Sequence, residues 1–324
     1  MIMADLEKLI WEEIWTESLP ENNFPEKTPH IAHYTSIENI KNILSGEELW
    51  FSNPLYMNDS EELQYGMNTG QRLLHTSKIL KAAFTNNSGY NSFLMHFNNL
   101  FQDYAQEHVF DTYIACFSEI DIDDNDGKLS MWRGYGDSGN GAAIIFDVSK
   151  FGFLEGSPLV VSKVEYGSSK DREKWIDNSI NNLAKIIQKV DQSPVNLEKI
   201  AKLWLERLKI YSLCTKHIGF IEESEWRIIY MPERDIENAL SKSCSYHILN
   251  GEVEPKLKLE IKPLNGVINS DLSLEEIVNR IILGPSPNNK HSLSKKTFGR
   301  MLIDIEKNSL IESLHVSTIP FRQK

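Results

Sequence analysis

Cysteine is nearly absent from this chain: Cys116, Cys214 and Cys244 are the only three in 324 residues. An odd number at wide spacing supports neither a disulfide framework nor a paired zinc ribbon. All three are expected to be buried, reduced thiols that pack as small hydrophobes. Long apolar runs are missing too. No stretch approaches the roughly 18 residues that a membrane span needs. The first twenty residues hold no apolar segment behind a basic start, so no signal peptide is expected, and the expected location is cytoplasmic. The nine histidines show no His-Glu-x-x-His spacing and no clustering with cysteine, so no metal site is expected. No phosphate-binding P-loop is present. Positive charge is in deficit: 34 Lys and Arg against 46 Asp and Glu give a formal net charge of −12. That balance disfavours non-specific attraction to nucleic acid.

What the chain does have is an ordinary globular composition, 41 % apolar and 25 % charged, with enough apolar side chain for a sizeable core. Leu6, Leu9, Ile10 and Ile14 predict an amphipathic helix over 5–15, and the Pro- and Asn-rich segment 21–29 reads as a linker. Residues 30–324 then read as a single domain with helical insertions at about 60–108 and 171–217. Its first strand is expected at Ile31 to Thr35. Ser36 is expected to cap a helix that carries Ile37, Ile40, Ile43 and Leu44 on one face and ends at Gly46. Further strands are expected at 49–52, 113–118, 142–146, 159–164, 226–231, 246–249, 257–261, 280–283 and 314–319. Helices are expected over 60–83, 91–108, 171–190, 196–217 and 291–307. Short strands scattered among helices, without regular βα alternation, predict an α+β fold.

Two glycine motifs tempt and fail. Gly134-Tyr135-Gly136-Asp137-Ser138-Gly139 satisfies the dinucleotide pattern G-x-G-x-x-G, but that pattern works between a strand and a helix N-terminus, and here a strand is expected to follow. Gly136-Asp137-Ser138-Gly139 copies the nucleophile segment of trypsin-like proteases, which are disulfide-bearing β-barrels unlike this helix-rich chain. The glycines read better as a tight turn, or a close backbone approach, before the strand at Ala142.

Four segments stand out from scaffold: His33-Tyr34-Thr35, Phe51-Ser52-Asn53-Pro54, Met131-Trp132-Arg133-Gly134-Tyr135 and Glu223-Ser224-Glu225-Trp226-Arg227. With Asn58-Asp59, Cys116-Phe117-Ser118-Glu119 and Ile281-Ile282-Leu283-Gly284-Pro285, their order resembles an uncharacterised prokaryotic family, domain-of-unknown-function family 2971, from about His33 to Pro285. The opening His-Tyr-Thr is similar to the His-Gly-Ser/Thr start of diphtheria-toxin-like and poly-ADP-ribose transferases. That resemblance implies an ADP-ribosyltransferase-like core of short strands decorated with helices, with NAD as substrate. It implies that His33 bonds the adenosine ribose with Tyr34 and Thr35 beside it. Ser52, followed by Asn53, would take the place of a nicotinamide-ribose or scaffold serine, and Tyr135, flanked by Arg133, would stack on nicotinamide. Glu225 would be the catalytic glutamate, and Glu223 the first member of a Glu-x-Glu pair like that of arginine-modifying transferases. The acceptor of ADP-ribose could be protein, nucleic acid or a small molecule. Transferases of this kind often serve as toxins or phage-defence effectors.

The chemistry also stands without the resemblance. Cleavage of the nicotinamide–ribose bond passes through an oxocarbenium-like state, which a nearby carboxylate stabilises. On one strand, Glu223, Glu225 and Arg227 would share a face while Trp226, Ile228 and Tyr230 turn to the core. The plainer alternative is that Arg227 simply pairs with Glu225. A non-catalytic nucleotide-binding or protein-interaction module is the second functional class the residues allow.

Overall fold

The computed structural model describes residues 28–57, 60–154, 156–249, 251–268, 273–285 and 291–321. The helix expected over 5–15, the linker up to residue 27 and the Asn58-Asp59 motif lie outside them. The strands, in chain order, are β1 (His30–Thr35), β2 (Glu48–Ser52), β3 (Tyr113–Glu119), β4 (Ala142–Asp147), β5 (Leu159–Lys163), β6 (Glu165–Gly167), β7 (Thr215–His217), β8 (Glu225–Tyr230), β9 (Cys244–Leu249), β10 (Glu252–Glu260), β11 (Val278–Leu283) and β12 (Leu314–Val316). The helices are α1 (Ile37–Gly46), α2 (Ser60–Thr76), α3 (Lys78–Ala83), α4 (Asn87–Gln106), α5 (Leu129–Gly134), α6 (Ser169–Lys189), α7 (Pro194–Leu213), α8 (Leu274–Ile277) and α9 (His291–Asp304). Contacts divide the chain into two compact units. Among the described residues, one takes those within 54–112 and 162–221; the other takes those within 28–53, 113–161 and 222–321.

The second unit holds a mixed, mostly antiparallel sheet in the order β12-β11-β4-β1-β3-β2-β10-β9, with β8 paired to both β3 and β5. β11 and β12 run parallel within it. Period-2 alternation places its side chains. Ile31, Phe51, Phe117, Ile144, Phe146, Trp226, Ile228, Leu257 and Ile281 enter a large core that Ile40, Ile43 and Leu44 of α1 help to fill. Ala32, Tyr34, Ala143, Ile145 and Ile282, the alternate residues, meet Met131 and Trp132 of α5 in a smaller cluster. Strand β4 is buried at five of its six positions because its two faces serve these two clusters.

The first unit is helical, with α4 and α2 against α7, α3 and α2 against α6, and a two-stranded parallel pair, β6 with β7. Glycine at two positions of α2 lets α7 approach closely: a methyl at Gly66 would meet Ser212, and one at Gly70 would meet Leu208. Four cationic side chains, Arg172, Arg207, Lys209 and Lys216, are buried in this unit. Burial pulls the Lys209 ammonium down to about 8, and the ammonium lies 4.5 Å from the centre of the Tyr104 ring.

Ser36 caps α1 as expected, accepting the N–H of Asn39 at 3.2 Å. Three local expectations need correction. The left-handed residue that ends α1 is Glu47 (φ 53°) rather than Gly46. The helix expected over 60–83 breaks into α2 and α3 because Ser77 turns extended and caps the second piece. Cys244 is exposed and Cys116 only half-buried, so only Cys214 behaves as a buried thiol. Helix α5 and strands β6 and β7 were not legible in the sequence; each is six residues or shorter, too short to display a period.

Candidate functional site

The sheet divides at β3. One edge of β3 carries β8 along its whole length, from Tyr113 opposite Tyr230 to Ser118 opposite Glu225. The other edge is shared: β1 pairs with its end at Ser118 and Glu119, and β2 meets it at Ile114 opposite Ser52. Between these contacts the carbonyl of Cys116 meets the His33 imidazole, whose Nδ1 lies 3.0 Å away. The side chain of His33 thus reaches the backbone of β3 from β1, with its ring 5.7 Å from that of Phe117.

A carbonyl only accepts, so Nδ1 carries the hydrogen and Nε2 is left as an acceptor. Burial holds the His33 pKa below the ordinary 6.5, the bond to Cys116 opposes that shift, and the charge of Lys256 adds to it. The sign for stability follows. The unfolded chain takes up the proton at higher pH than the folded one, so the contribution is complete above 6.5 and declines as pH falls below it. His33→Gln should therefore flatten the fall in urea midpoint between about pH 7 and pH 5. Part of the slope should remain, because burial also lowers His30 and His315. An unchanged slope would show that the His33 pKa is the same in the folded and the unfolded chain.

Lys256 is a member of this group that the sequence did not flag. It sits opposite Ser52 in the β2–β10 ladder and donates to the Ser52 hydroxyl at 2.8 Å, while Glu254 pairs with it at 3.0 Å. A lysine two residues after a glutamate on a strand is too common a pattern to be singled out in advance. Asn53 is fully buried. Tyr34 and Thr35 have local duties. The Tyr34 hydroxyl accepts the N–H of Lys128 just before α5, its ring packs edge-on to Trp132, and burial raises its pKa to about 12. Thr35 Oγ1 accepts from Asn39 in the first turn of α1.

On the far edge of β3, the Glu225 carboxylate takes both its oxygens to Arg227, at 2.9 Å from Nε and 3.0 Å from Nη2. Both side chains are buried. Because the two residues are separated by one position on β8, they share a face, and the guanidinium folds back as a bidentate fork. Trp226, Ile228 and Tyr230 do turn into the large core. Glu223 departs from expectation: it ends a 3-10 turn, and β8 begins only after Ser224, which takes a left-handed conformation (φ 42°). Glu223 is half-buried, and its carboxylate accepts from the Tyr135 hydroxyl at 2.9 Å. Its carbonyl accepts from Ser118, whose hydroxyl also receives Lys128 Nζ at 3.1 Å. Arg133 lies over the Phe321 ring instead, 5.9 Å from its centre.

The fold therefore makes two groups. His33, Ser52 and Lys256 lie on the β1–β2 side of β3; Glu225, Arg227, Glu223 and Tyr135 lie on the β8 side. Ala32, Ser118 and Glu225 form one row across β1, β3 and β8, so Glu225 shares the face of Ala32, while His33, the next residue on β1, alternates to the face of Ile31 and Phe117; the two backbones stand about 10 Å apart, two strand spacings. They do not meet directly. A cavity of about 430 Å³ opens beside this row, lined by Thr28, His30, Glu119, Asp121, Asp124 and Lys128 among others. Among the described residues, no group of three His, Cys, Asp or Glu side chains is arranged to hold a metal ion.

The glycine loop has a structural explanation. Asp137, Ser138 and Gly139 are consecutive left-handed residues. A methyl group at Gly141 would strike the carbonyl oxygen of Thr35, and one at Gly284 would strike that of Gly139. The Gly284 N–H donates to the Gly141 carbonyl at 2.9 Å, which seats the loop on the end of β11.

Residues 131–228 match the family model described as Protein of unknown function (DUF2971). That segment begins in α5, which holds Arg133 and precedes Tyr135, and ends in β8 with Glu225 and Arg227. It supports the resemblance to family 2971 across the β8 side of the site. No curated protein and no solved structure matches the chain. Among the described residues, no helix is long and apolar enough to cross a membrane.

Proposed function

We propose that the sheet unit is an ADP-ribosyltransferase-like fold that binds NAD across β3 and transfers ADP-ribose to an acceptor, or hydrolyses NAD. The observation that carries this reading is the division of the sheet at β3, with a neutral histidine on one edge and a carboxylate pair on the other. A dinucleotide has two riboses joined by a pyrophosphate, so one ligand passing from face to face where β1 and β2 part along β3 would engage both groups, whose backbones are about 10 Å apart. His33 Nε2 would accept a hydroxyl of one ribose, with Ser52 and Lys256 beside it. At the other ribose a carboxylate would stabilise the charge that develops as the bond to nicotinamide breaks. Glu223, half-buried and bonded to Tyr135, is the better placed to reach a ligand. Glu225, tied to Arg227 through both oxygens, would hold the start of β8 in place behind it.

The test is nicotinamide release from NAD, with and without cell lysate, for the wild type beside Glu223→Gln, Glu225→Gln and His33→Ala. Release that falls about 100-fold or more in one glutamate variant is the scale of losing a transition-state charge stabiliser, and it assigns the catalytic carboxylate. Dependence on lysate separates transfer from hydrolysis. No release under any condition, with NAD also failing to raise the melting temperature, overturns the proposal.

A second reading rests on the saturation of Glu225 by Arg227. A carboxylate with both oxygens already occupied suits a module that binds a nucleotide without turning it over. NAD would then raise the melting temperature without being consumed, equally in the wild type and in Glu225→Gln.

A further inference from the structure

β9 is the terminal strand of the sheet, and among the described residues no strand pairs with its outer edge. Its pairing with β10 runs unbroken from Leu249 opposite Glu252 to Cys244 opposite Leu257. One face of this hairpin carries Cys244, Tyr246 and Ile248 on β9, with Val253, Pro255, Leu257 and Leu259 on β10. Leu257 and Leu259 are covered by the large core. Beyond them the same apolar face emerges into solvent: Tyr246 is 77 % exposed, Ile248 72 % and Val253 56 %. Edge strands are ordinarily protected by an inward lysine, a proline, a bulge or very short length. β9, Cys-Ser-Tyr-His-Ile-Leu, has six residues, no lysine, no proline and no break in register. Such an edge is built to be paired.

We propose that β9 pairs antiparallel with β9 of a second copy of this chain, about a two-fold axis perpendicular to the sheet. The pairing is isologous, the usual form of a closed dimer. Side chains directly opposite one another share a face, so a continuous apolar surface requires Tyr246 to face an even-numbered residue. Setting Tyr246 opposite Ile248 of the second copy buries both. It also brings Lys242, just before β9, toward the hairpin turn that carries Glu252 of the second copy. Both of these charged residues are exposed. The charges at the two ends of the edge are thus complementary in the register that the apolar pair selects. The second copy gains a mirrored set of backbone hydrogen bonds along with the apolar contact.

The experiment is the mass of the full chain in solution, measured by light scattering over a dilution series. The wild type should have twice its 37.3 kDa at about 100 µM and dissociate on dilution. Ile248→Lys should raise the dissociation constant about 100-fold or more, because it carries an ammonium into the centre of the contact. Ile236→Lys, at an 89 % exposed position outside β9, should leave the dimer intact. Melting temperatures unchanged in both variants would show that folding is not the cause. A monomeric wild type at about 100 µM overturns the proposal. So does a dimer that survives Ile248→Lys, or one that Ile236→Lys disrupts equally.

Discussion

Replacing Arg227 by methionine should lower the stability of the sheet unit by about 3–5 kcal/mol, while combining that change with Glu225→Gln should cost well under the sum of the two single effects. The guanidinium is 2 % exposed, and both of its bonds to Glu225 are made on the buried face of β8. Removing the cation alone leaves a carboxylate to be held in a low-dielectric site without the charge that neutralises it, which is the expensive case for a buried pair. Removing both charges leaves a neutral amide beside an apolar side chain, and much of that cost disappears. Urea titrations of the wild type, the two single variants and the double variant give the coupling directly. Additive losses would mean that the two side chains do not act as a unit. That result would also remove the reason for regarding Glu225 as fixed in its ionised form. The same series bears on function, since a carboxylate this tightly tied can shape the field of a site but needs Arg227 to move before it can touch a ligand.

Gly141→Ala and Gly284→Ala should each destabilise the fold by about 3 kcal/mol or more, against a change within about 0.5 kcal/mol for Gly134→Ala. At Gly141 and Gly284 the added methyl would fall on backbone carbonyl oxygens, of Thr35 and Gly139, which cannot rotate away as a side chain can. At Gly134 nothing lies within 4 Å of the added carbon. The comparison separates steric need from the general entropic effect of glycine, because the latter would stabilise all three variants slightly. Equal, small effects at all three positions would mean that the loop can lift from the end of β11. Thr35 borders His33, so displacement at Gly141 should also reach the candidate site. The His33 contribution to the pH dependence of stability offers a second readout of that movement.

Much of the scaffold was legible in advance where a period repeats. The apolar stripe of α1 and its serine cap, the strands around Phe51, Phe117, Ile144 and Trp226, and the inward set Trp226, Ile228 and Tyr230 all follow from spacing alone. Elements of one turn or three residues escaped, because α5, β6 and β7 are defined by what they pack against. The candidate site was legible as a set of residue types and not as an arrangement. His33, Ser52, Tyr135, Glu223 and Glu225 could be picked out, yet Lys256 could not, because its importance comes from lying across the ladder from Ser52, more than two hundred residues earlier in the chain.

The sequence by itself determined which faces of the strands and helices are apolar, where α1 begins and which glycines sit in the loop before β4. Those features depend on neighbours within a few residues. Only the tertiary structure decided that β1 and β2 part company along β3, that His33 bonds the backbone of Cys116 and that Glu223 leaves the line of β8 at Ser224. It also decided that β9 ends the sheet with an apolar face uncovered. Strand order and register are set by contacts between residues tens to hundreds of positions apart, and no local pattern encodes which edge meets which.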